Sequence, residues 1–134
     1  MTPEDTMHAP RMALVVATTF AAAAVVAGPA PAYAKGSTAI TSSKACSTGV
    51  IKLKAKHDDG RIEVEAEVDT NRRGQVWSVT LRDNGVTVWS GQRTTIGPSG
   101  SFSVNKRIAN RAGTDVISVR ATRGSAVCAT QLSL

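Results

Sequence analysis

The stretch from Val50 to Asp69 constrains this chain more than any other. Ile51, Leu53 and Ala55 alternate with Lys52, Lys54 and Lys56, and Ile62, Val64, Ala66 and Val68 alternate with Glu63, Glu65 and Glu67. A strict period of two means strands with one face buried and one in water. Between the two runs lies Asp59-Gly60, a pair suited to a type I′ turn because both central residues need positive φ. That turn puts Lys56 opposite Glu63, Lys54 opposite Glu65 and Lys52 opposite Glu67 on one face. On the other face, Ala55 meets Val64, Leu53 meets Ala66 and Ile51 meets Val68. Charge pairing and apolar pairing select the same register.

The pattern recurs downstream. Asn84-Gly85 separates Val76–Asp83 from Val86–Arg93, a second type I′ signal that places Leu81 against Val88, Thr80 against Trp89 and Trp77 against Gln92. Ser101–Ile108 alternates with Phe102, Val104 and Ile108 on one side, and Lys106 interrupts that side as though the strand ends there. Asp115–Thr122 and Ala126–Leu134 form a last hairpin around Gly124-Ser125, aligning Ala121 with Cys128 and Ile117 with Leu132. The expectation is an all-β, seven-stranded antiparallel sandwich over residues 46–134, preceded by a flexible Ser/Thr-rich lead-in at 35–45. Strand count, hairpin positions and Trp77 on the third strand make the pattern resemble an immunoglobulin-like or fibronectin type III-like domain, of the kind found in small secreted bacterial proteins. The resemblance implies an architecture and no particular activity.

Ahead of this domain, Arg11 precedes an apolar run from Ala13 to Ala27, and Gly28-Pro29 leads to Ala32-Tyr33-Ala34. These are the parts of a signal peptide cleaved after residue 34, so the expected location is secreted and extracellular, with no membrane span in the mature chain. Translation starts at Met1 or at Met7. In an oxidising compartment Cys46 and Cys128 are expected to form a disulfide that clasps the two ends of the domain. Removing Arg11, Glu4 and Asp5 from the 16 basic and 10 acidic residues leaves a net charge of +7, an excess that favours polyanionic neighbours.

Little here suits catalysis. His57 is the one histidine after the leader and sits beside a hairpin turn, where side chains are usually in water. Glu63, Glu65 and Glu67 face lysines, and Asp83 and Asp115 lie near strand ends, where capping a turn is the ordinary role. No nucleophile elbow, phosphate loop or set of metal ligands is evident, so neither an enzyme nor a cofactor nor a metal site is expected. The lysine–glutamate face neutralises itself. Unmatched charge falls instead on the second sheet, where Arg82, Arg93 and Arg120 surround Trp89 on the face read as outward. Tryptophan and arginine are the side chains most enriched at binding hot spots. The expected role is therefore a binding module for a protein or an anionic cell-surface polymer, without specific recognition of nucleic acid. The alternatives are a structural protein with no specific ligand, or a protease inhibitor acting through Ile96–Gly100.

Overall fold

A computed structural model describes residues 37–134 together with Gly28; apart from Gly28, the leader read over residues 1–34 lies outside the described residues. Eight strands follow one another: β1 (Ile40–Cys46), β2 (Gly49–Asp58), β3 (Arg61–Asp69), β4 (Val76–Asp83), β5 (Val86–Thr94), β6 (Ser101–Ala109), β7 (Val116–Arg123) and β8 (Ala126–Ser133). They form two antiparallel four-stranded sheets, ordered β1-β2-β3-β6 and β5-β4-β7-β8, packed face to face. The alternating apolar residues of both sheets meet between them, with Ile51, Leu53, Ile62, Trp77 and Ile117 wholly buried. Hydrophobic burial at roughly 25 cal/mol per Å² is the main force holding the two layers together.

The opening hairpin has the register its charges and apolar residues both select, from Ile51 opposite Val68 to Asp58 opposite Arg61. Positive φ at Asp59 and Gly60, and again at Asn84 and Gly85, gives both hairpins the expected tight turns. The charge ladder closes only in part: Lys56 Nζ lies 3.0 Å from Glu63, while Asp58 turns away from Arg61 to meet Arg107 Nη2 at 3.3 Å. Exposed ion pairs contribute little, so the apolar face dominates the choice of register.

Three expectations need correction. Ile40–Cys46 is a strand, paired with β2 from Ile40 opposite Ala55 to Cys46 opposite Gly49; the sandwich therefore has eight strands, and the lead-in is shorter than residues 35–45. Its Ser/Thr-rich sequence has no apolar alternation because β1 is an edge strand beside β8, where polar side chains still reach water. Secondly, β6 does not end at Lys106 but runs on to Ala109.

Thirdly, the register of the second hairpin shifts between Leu81 and Arg82, so Leu81 pairs with Trp89 and Thr80 with Ser90, leaving Val88 as the extra residue. A β-bulge puts two residues opposite one and reverses the facing of everything beyond it. Beyond it, Trp89 and Arg93 take the inward side. A physical reason lies at Gly91, opposite Val79. A side chain there would collide with the Trp89 ring, at 2.7 Å from Cζ2. The indole thus lies over the gap left by the glycine and keeps apolar area from water.

The two open sides of the sandwich are closed differently. On one, Cys46 and Cys128 are joined by the expected disulfide, with Cα atoms 5.2 Å apart, and the Ser42 and Thr130 hydroxyls meet at 2.7 Å. On the other, Trp89 sits between the sheets with the Arg93 guanidinium 4.8 Å from its ring centroid and the Lys106 ammonium 5.1 Å away. Lys106 lies on the core side of β6, and its long stem carries the charge out to the rim.

Candidate functional site

The four residues expected to share one face do not. Trp89 and Arg93 belong to the rim between β5 and β6, half-buried and engaged with each other. Arg82 and Arg120 remain on the outer face of the second sheet, both exposed. Thr80 pairs with Arg120 and Arg82 with Ser118, so the two arginines are diagonal neighbours, about 7–8 Å apart at the backbone by sheet geometry. Among the described residues they are the only charged side chains that strand alternation puts on this face. The rest is largely Ser, Thr and Gln. Like charges so placed repel, and the Thr87 hydroxyl, 3.4 Å from Arg82 Nε, is a neutral acceptor that leaves the charge uncompensated.

A third cation joins them. Lys44 of β1 lines a shallow depression of about 450 Å³ together with Arg82, Ser118, Arg120 and Gln131. Lys44 lies in the segment whose composition reads as a lead-in, which hides it in the sequence. A signal was present: counting back by twos from Cys46 gives Lys44 and Ser42, the side that approaches β8. No carboxylate lines the depression. The outer face of the first sheet contrasts with it. There five basic side chains stand against five acidic ones, from Lys52 opposite Glu67 to Asp58 opposite Arg61, with Arg107 and Asp69 completing the set.

A different chemistry occupies the end of the sandwich carrying the Asn84-Gly85 turn. Asp83 and Asp115 are both wholly buried, and neither carboxylate has a hydrogen-bond donor from the protein. Arg111 Nε, 3.6 Å from Asp83, is the nearby countercharge. Burial first, then hydrogen bonding and charge repulsion from Asp115, hold the Asp83 carboxyl above its usual range, with Arg111 opposing. Two ionised carboxylates have no proton to share; with one proton bound, Asp83 and Asp115 form a hydrogen bond. These aspartates are thus core groups, while Asn84 caps the turn, accepting from Val116 N at 2.9 Å and donating to Thr114 O at 3.2 Å. His57 continues the inward side of β2 opposite Ile62 and is half-buried rather than in open water, with Nδ1 shielded and unpartnered. No three His, Cys, Asp or Glu side chains gather as a metal site among the described residues.

The Ile96–Gly100 segment is a tight turn closed by Ile96 N to Ser101 O at 2.9 Å and Gly100 N to Ile96 O at 2.9 Å, with Ile96 exposed. Comparison of the chain with protein-family models, curated proteins and solved structures returned no match.

Proposed function

We propose that this protein is a secreted binding module that holds an anionic cell-surface polymer against the outer face of its second sheet. The observation that carries the reading is the unbalanced charge there: Lys44, Arg82 and Arg120 converge on one depression whose lining has no carboxylate. Arginine offers a planar fork of donors suited to phosphate, sulfate or carboxylate groups. The surrounding Ser, Thr and Gln side chains add neutral donors and acceptors. Trp89 is not part of this surface; its role is to close the rim. The strand order, β2-β3-β6 facing β5-β4-β7-β8, supports an immunoglobulin-like arrangement with β1 added at one edge. The disulfide supports an oxidising location.

The test is retention on an immobilised sulfated polysaccharide. Replacing Arg82 and Arg120 together with alanine is expected to weaken binding at least tenfold and to flatten its salt dependence, since each lost cation releases one fewer counterion. Thermal stability should hardly change, because both side chains are exposed. Replacing Trp89 should leave retention intact while lowering stability. Equal retention by the arginine variant and the parent would refute the reading.

A further inference from the structure

The end of the sandwich away from Asp83 carries a second unassigned site. The β1–β2 turn, the Thr70–Gln75 loop and the β7–β8 turn meet around a depression of about 430 Å³ lined by Ser47, Thr48, Arg72, Gln75 and Arg123. Arg72 thus comes from a loop and Arg123 from the end of β7, Ser47 and Thr48 stand beside them, and no carboxylate lines the space. The loop that presents Arg72 is tightly held. Thr95, only 1% exposed, donates its hydroxyl to the Arg72 carbonyl at 2.6 Å and accepts from Gln75 N at 2.9 Å. The buried Thr70 hydroxyl lies 3.3 Å from Arg72 N and accepts from it. Gly100, at φ +74°, lies so close that a side chain there would run into the Arg72 backbone. Two buried polar side chains and a glycine therefore fix the backbone beneath an exposed arginine, and a fixed donor loses less freedom on binding.

We infer that this depression binds a small oxyanion of the phosphate class. Arg72 and Arg123 take the anionic oxygens, assisted by Ser47 and Thr48. The site is separate from the Arg82–Arg120 face and does not depend on it.

Titration of the folded protein with inorganic phosphate, and with glycerol as a neutral control, followed by backbone amide NMR, tests this. Inorganic phosphate should shift the amides around Ser47, Arg72 and Arg123 saturably. Arg72→Ala should weaken binding at least tenfold without unfolding the loop, because Thr70 and Thr95 hold the main chain of residue 72 and not its side chain. Arg72→Lys should recover part of the loss. The Arg82→Ala, Arg120→Ala variant should bind as the parent does, so this site and the sheet face fail or succeed separately. Shifts that do not saturate, that persist in Arg72→Ala, or that glycerol alone reproduces would overturn the anion site.

Discussion

Removing the disulfide by the paired change Cys46→Ala, Cys128→Ala is expected to lower unfolding stability by about 4 to 5 kcal/mol. The bridge spans 82 residues of sequence, so it removes a large loop-closure entropy from the unfolded chain. It also ties the one strand that contributes least to the core. β1 brings Ser42 and Lys44 to the side that faces β8, where other strands bring Ile, Val or Leu, and Ser42 meets the Thr130 hydroxyl of β8. For a domain of this size the loss corresponds to a fall in Tm on the order of 20 °C. Urea unfolding of the variant and the parent measures it. Hydrogen exchange should show β1 amides losing protection first, while the β3–β6 pairing stays protected until global unfolding. A difference below about 1 kcal/mol would mean that the unfolded chain is already compact or that the native bridge is strained.

The second expectation runs against the usual trend for carboxylates. Replacing Asp83 with Asn should raise stability near neutral pH by about 1 to 3 kcal/mol, the range for an unsatisfied buried polar group. In the unfolded chain an aspartate titrates near 3.9, whereas in the fold Asp83 is held higher, by burial first and then by Asp115. Below the unfolded value the carboxyl is protonated in both states, and the native state bears no penalty. As pH rises through the interval between the two values, the unfolded chain releases a proton that the fold retains, so stability falls. Above the raised folded value the penalty is complete. The gain from Asp83→Asn should therefore vanish near pH 3 to 4 and grow towards neutrality. Arg111 limits the effect, since it already meets Asp83 at 3.6 Å. Melting curves of the two proteins between pH 3 and 8 decide the matter, and parallel curves would reject the shared-proton account.

Local pattern was enough wherever a strand had two distinct faces. The first hairpin, both tight turns, the last hairpin and the assignment of six of the core-forming strands to their neighbours follow from alternation and from Asp-Gly and Asn-Gly pairs, because side-chain facing in a strand depends only on parity. His57 is an exception: its place next to a turn argues for water, but it pairs with Ile62 and is half-buried. The reading failed where the deciding contact is distant in sequence. Val88 and Trp89 compete for one place opposite Leu81, and both registers alternate plausibly. The bulge wins because the indole covers Gly91 and receives Lys106 from the other sheet. Shifting that register took Trp89 and Arg93 off the expected binding face and left Arg82 and Arg120 behind.

The sequence by itself determined an all-β chain, the register of its best hairpin and the pairing of its two cysteines, since each depends on residue type and local spacing. Tertiary structure decided that Ile40–Cys46 is a strand, that Trp89 closes a rim, that Asp83 and Asp115 are buried together and that Lys44 joins Arg82 and Arg120. Each of these requires segments far apart in sequence to meet. Burial and uncompensated charge are properties of that meeting, and no single segment carries them.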